Sequence, residues 1–144
     1  MWQSHTDKRL ASWVNLRNSC KENNDLDKVI ITIHDWWQQA PMVLRYLHTD
    51  LIKEWPDPWE LIAKNTYCSL AKCLRMCYTI CMLDRQDISS LCISEIDNSN
   101  YIVQVNNGLY VLNWNVDEIV NITLLGDYEI TKNIDSAMFV HKIR

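Results

Sequence analysis

The chain has 144 residues, 48% hydrophobic and 22% charged, and a formal net charge of −4 from 14 basic and 18 acidic side chains. That length and balance fit one globular domain, residues 1–144, which buries about two-thirds of its unfolded surface, and they exclude a disordered chain. No Lys/Arg block, no apolar run of membrane-spanning length and no signal-peptide core occurs, so nucleic acid, a membrane and export are not expected, and the chain is expected to stay in the cytoplasm where it is made.

The first helix is expected over Ser4 to about Asn18, with Leu10, Trp13, Val14 and Leu16 on a partial apolar face. Lys21–Asn24 reads as a polar linker, and Asp25 is placed to cap a second helix. There Leu26, Val29, Ile30, Ile33 and Trp37 fall at helical spacing, and Gln39-Ala40-Pro41 ends it. Met42–Ile52 reads as irregular or short-helical. In Trp55-Pro56-Asp57-Pro58-Trp59-Glu60, Asp57 caps, Pro58 suits the first helical position and Glu60 completes a capping box.

A third long helix is expected from Asn65 or Thr66 to about Leu83. Its polar residues Ser69, Lys72, Arg75 and Thr79 make one narrow stripe, and apolar residues cover the remainder. A helix apolar on most of its circumference is packed on several sides. Beyond Asp84–Asp87 the period changes to two, and strands are expected over Leu91–Ile96, Tyr101–Val105, Leu109–Trp114, Ile122–Leu125 and Ala137–Ile143. Asn106-Asn107-Gly108 is a tight-turn signal, and Asp97–Asn100 makes another turn. The fold class is therefore α+β, with a central buried helix against a small antiparallel sheet.

Six cysteines in a reducing compartment read as thiols. Cys73, Cys77 and Cys81 climb one helical stripe, and successive turns separate them by about 5.4 Å, so they do not converge on a metal. No metal or cofactor is implied. Cys68 opens the buried helix, where free amide N–H groups and the helix dipole favour a thiolate. Nucleophilic catalysis there needs an imidazole base and a group to orient it. Of the four histidines, His5, His34, His48 and His141, the last is the one expected on the sheet. His34 and His48 read as ordinary surface residues.

A helix-opening cysteine in a helical first half, followed by a hairpin of strands, resembles the transglutaminase-like branch of the papain-like fold. Trp36-Trp37 with Ala40-Pro41, then Trp55-Pro56-Asp57-Pro58-Trp59-Glu60-Leu61 and Tyr67-Cys68-Ser69-Leu70-Ala71, is similar to small proteins encoded by tailed bacteriophages. The resemblance spans roughly residues 30–115. It implies a Cys–His–acid triad with Cys68 as nucleophile. Laid over Tyr101-Ile102-Val103-Gln104-Val105, Gly108 and Tyr110-Val111-Leu112-Asn113, it puts Asn100 or Tyr101 where the histidine belongs and Asn113 in the place of the acid. Neither Asn nor Tyr accepts a thiol proton near neutral pH as imidazole does.

Two readings follow. In the first, the chain is a thiol acyltransferase or protease with Cys68 as nucleophile, His141 or else His48 as base and Asn113 as orienting residue. In the second, which the absent histidine favours, it is a non-catalytic phage accessory protein that binds a host or virion protein in the host cytoplasm, with Trp55 and Trp59 on an aromatic docking surface.

Overall fold

A computed structural model describes residues 1–43, 46–97, 100–114, 118–125 and 128–143. Helices α1 (Thr6–Glu22), α2 (Leu26–Gln38), α3 (Pro58–Lys64) and α4 (Ser69–Leu83) precede strands β1 (Leu91–Ile96), β2 (Asn100–Val105), β3 (Tyr110–Leu112) and β4 (Ile130–Asp135). The sheet is antiparallel in the order β3-β2-β1-β4. No helix among the described residues is long and apolar enough to cross a membrane.

α4 lies between the other helices and the sheet, and twelve of its fifteen residues are buried. Leu91 and Ile93 of β1, Tyr101, Val103 and Val105 of β2 and Leu112 of β3 join one core with it. On the other face of the sheet Ile96, Ile102 and Val111 form a smaller cluster covered by Trp114, Val120 and Ile122.

The polar stripe of α4 points into the helical layer. Thr79 Oγ1 accepts the indole N–H of Trp13 from α1 (3.0 Å) and of Trp37 from α2 (3.1 Å), and donates to Arg75 O. The Arg75 guanidinium lies 4.2 Å from the Trp13 ring centre and 4.5 Å from that of Trp37, and Nη1 donates to Pro58 O at the start of α3. Buried polar groups are tolerated where partners satisfy them, and Thr79 Oγ1 and Arg75 Nη1 find theirs on three different helices.

The helix starts follow from local chemistry. Asp25 accepts from Lys28 N, and Asp57 and Glu60 form the expected capping box with Pro58 first in the helix. Asn65 in the left-handed region (φ 52°) closes α3. The third long helix therefore starts at Ser69 and not at Asn65 or Thr66, since Tyr67 is held extended in a parallel bridge to Met42. α1 runs on through Lys21 to Glu22. At the β2–β3 turn Asn106, Asn107 and Gly108 all have positive φ, and a Cβ on Gly108 would meet Ile122 at 2.6 Å. In the Asp97–Asn100 turn, residues 98 and 99 lie outside the described residues.

Two expected strands are corrected. Ile122–Leu125 is a 3-10 turn, because Asn121 Oδ1 accepts from Thr123 N and Oγ1 and bends the chain as it leaves the edge of β3. Ala137–Ile143 is two 3-10 turns, Ser136–Met138 and Val140–Ile143. Asp135 caps the first by accepting from Ala137 N, and Phe139 drives its ring into the core against Trp55 and Tyr78. The fourth strand is Ile130–Asp135, where Ile134 alone is buried, so its sequence carries little apolar alternation.

Thr79→Val leaves two buried indole donors without an acceptor at nearly unchanged volume, and it is expected to lower stability by about 3 kcal/mol. Thr79→Ser, which keeps the hydroxyl, should recover most of that in urea unfolding measured side by side.

Candidate functional site

Cys68 is the N-cap of α4, in extended conformation, and its carbonyl accepts Lys72 N at 3.0 Å. Neighbouring backbone holds the segment before it: Tyr67 N donates to Pro41 O, Val43 N to Tyr67 O, and the Tyr46 hydroxyl to Thr66 O. The thiol thus occupies the expected position at the positive end of the buried helix. It is 2% exposed, and its side chain makes no capping hydrogen bond.

Asn113 follows β3 directly, with φ 66°, a conformation that Asn adopts more readily than most residues. Its Nδ2 donates toward Ser69 Oγ (3.1 Å), Cys73 Sγ (3.2 Å) and Tyr101 O (2.9 Å). Its Oδ1 accepts from Gln38 Nε2 at 2.8 Å, and that nitrogen lies 3.3 Å from His34 Nε2. Lys72 Nζ donates to Gln38 O at the C-terminal end of α2, where a cation is favoured. Asn113 therefore joins β3, β2, α2 and the first turns of α4 at one seam.

The structure brings together Asn113, Ser69, Cys73, Gln38 and His34 in one network, which meets the head of α4 through Ser69, the residue after Cys68, and Cys73. Neither residue at the expected histidine position enters this network through its side chain: Asn100 is exposed at the start of β2, and the Tyr101 hydroxyl donates to Glu95 Oε2 at 3.0 Å. His141 lies on a 3-10 turn and not on a strand, lining a cleft with Asp50–Glu54 and Met138. His48 lines a second cleft with Tyr46, Trp55 and Glu60, and Cys68 lines neither.

His34 is fully buried, which corrects its reading as a surface residue. Its position could have been read from spacing, since it lies four residues after Ile30 and three before Trp37 on the apolar face of α2. Trp55 is also buried, 3% exposed, with Nε1 donating to His48 O. Trp59 is 43% exposed, so the two tryptophans do not form one docking surface.

Burial sets the electrostatics of the region. It pushes the Cys73 and Cys77 thiols up, against the hydrogen bond from Asn113 in the case of Cys73, and lowers Lys72. Tyr46 and Tyr67 rise to about 12 and Cys81 to about 11, in each case mainly by desolvation. Among the described residues no group of three or more His, Cys, Asp or Glu is placed to hold a metal ion.

No family model matches the chain, and no curated protein matches its sequence. Solved structures do. Calcium-bound LapG of Legionella pneumophila is similar with a TM-score of 0.74 at 15% identity, over 92% of this chain and 77% of that one. A second LapG structure has 0.72 at 16%, over 92% and 77%, and an EGTA-treated one has 0.71 at 16%, over 93% and 76%. LapG has a transglutaminase-like cysteine protease fold. At these identities the likeness is one of fold: this chain has a transglutaminase-like α+β fold.

Cys73, Cys77, Cys81, Tyr46 and Tyr67 all ionise at higher pH folded than unfolded, so their contribution is complete below about pH 9 and is lost as pH rises through the folded values. Lys72 and Arg75, lowered by burial, act in the opposite direction and are outnumbered. The urea midpoint is expected to fall from about pH 9 to about pH 11 after a flat stretch near neutrality. A midpoint that held steady to the alkaline end would contradict the burial of these side chains.

Proposed function

We propose that this chain keeps the thiol position of a transglutaminase-like protein without its proton acceptor, and that it binds a polypeptide partner without turning it over. One observation carries the reading. The residue in the acid's place is an amide whose nitrogen is committed to Ser69, Cys73 and Tyr101 and whose oxygen is taken by Gln38. A triad needs an acceptor there, to hold an imidazole in the right tautomer and to stabilise its cation. Asn113 instead turns the seam into a fixed joint. The thiol beside that joint is shielded from water, and none of the seam's hydrogen bonds among the described residues reaches it.

A host or virion protein is the partner class implied if the chain is phage-encoded. Trp59 and the clefts on either side of Leu51 and Glu54 are the exposed features that such a partner could reach.

The likeness to LapG favours a second reading, a thiol protease or acyltransferase with Cys68 as nucleophile. The position of Cys68 at the N-terminus of α4 supports it too, because the first amides of a helix can receive an oxyanion. The two readings differ in whether an imidazole or another acceptor reaches Cys68 during reaction.

Alkylation of the folded protein with iodoacetamide near pH 6, followed by mass spectrometry of each cysteine, separates them. On the first reading Cys68 reacts no faster than Cys81 and Cys92, the two partly exposed thiols. Selective labelling of Cys68, roughly ten-fold faster or more, would replace it with the second. The docking test uses Trp59→Ala alone, since removing the buried Trp55 ring would cost about 3–5 kcal/mol of stability and confound any loss of binding.

A further inference from the structure

Arg75 presents a chemical problem that the proposed function does not use. Its guanidinium is fully buried between the indoles of Trp13 and Trp37, and Nη1 donates to Pro58 O. Its other edge, Nε and Nη2, meets no acceptor among the described residues. On a guanidinium these two N–H groups point the same way, as the fork that takes a bidentate acceptor.

The edge meets no acceptor among the described residues, and the one carboxylate that acts on the guanidinium, Asp57, does so less than its other neighbours. Arg17 stacks on Trp13 with its centre 4.3 Å from the ring, and its Nε is also buried and unpaired. Trp2, packed 5.4 Å from Trp37, has an unpaired Nε1. Among the described residues four buried nitrogens thus lack acceptors, against one oxygen, Asn65 Oδ1, that lacks a donor. Neither arginine has an ion pair with a carboxylate among these residues. Thr79 Oγ1 is already occupied by two indole N–H groups, and the Tyr67 and Tyr78 hydroxyls, which lie near the guanidinium and keep acceptor lone pairs, do not meet its Nε–Nη2 edge.

The faces of two aromatic rings offset part of the energy of a buried cation but accept no in-plane N–H. A water molecule would accept from the fork yet bring two hydrogens of its own and no charge. A small anion supplies what is missing, several lone pairs and one negative charge. Because the guanidinium is closed to solvent, the occupant must be small.

We infer that the Nε–Nη2 edge of Arg75, enclosed between Trp13 and Trp37, is an internal binding site for one halide-sized monovalent anion. Binding there is linked to folding, because the site exists only where α1, α2 and α4 meet. Anion bound to the native state alone stabilises it logarithmically with concentration.

Bromide tests the site directly on the full chain. Crystals grown in sodium bromide should show an anomalous difference peak within hydrogen-bond distance of Arg75 Nε and Nη2. In solution, the melting temperature should rise by about 5 °C for each tenfold step in chloride above its dissociation constant, against sodium gluconate at equal ionic strength. Arg75→Met should abolish that difference. A water at the fork with no anomalous signal, or equal melting in chloride and gluconate, would overturn the inference. Should Arg75→Met fail to fold, the bromide peak in the unsubstituted protein decides the question by itself.

Discussion

The meeting of Trp13, Trp37, Arg75 and Thr79 is the constraint from which the remaining architecture follows. Two indole N–H groups from different helices converge on one hydroxyl, and a guanidinium fills the space between their rings. Hydrogen bonds of this kind are directional, so they set the rotation of α4 about its own axis in a way that apolar packing alone would not. With the polar stripe turned toward α1, α2 and α3, the apolar remainder of α4 faces the sheet.

That rotation positions the seam at the head of α4. Ser69, Lys72 and Cys73 come to lie where Gln38 from α2 and Asn113 from β3 reach them. Here an amide bridges four elements at once. The difference between Asn and Asp at this position is one of sign: a carboxylate only accepts, whereas the amide donates to a hydroxyl, a sulfur and a carbonyl. The seam is consequently well satisfied, and among the described residues none of its hydrogen bonds reaches the thiol of Cys68.

Packing also explains why the aromatic-rich composition does not translate into an aromatic surface. Trp13, Trp37 and Trp55 lie in the core with their N–H groups satisfied by Thr79 and His48 O, and Trp2 and Trp36 pack against that core. Phe139 completes the layer by inserting between Trp55 and Tyr78. Amphipathic rings allow this because each can bury its face and still hydrogen-bond at its edge.

Local signals in the chain were enough for α2, the capped start of α3, the buried character of α4, the β1–β2–β3 meander and its Asn-Asn-Gly turn, because each depends on neighbours within a few residues. Cys68 at the head of the buried helix was legible for the same reason, whereas Asn113, expected inside a strand over Leu109–Trp114, lies just past the end of β3 in a left-handed conformation. Other features depended on residues far apart in the chain. Residues 137–143 alternate like a strand but turn where Asp135 caps them and Phe139 finds its pocket. Residues 130–135 scarcely alternate, yet they pair along β1. His34 and Gln38 reach the seam only because α2 lies beside α4. Periodicity and capping chemistry are written in adjacent residues, whereas edge pairing and a polar network spanning four elements arise only when the folded chain brings distant side chains within hydrogen-bond reach.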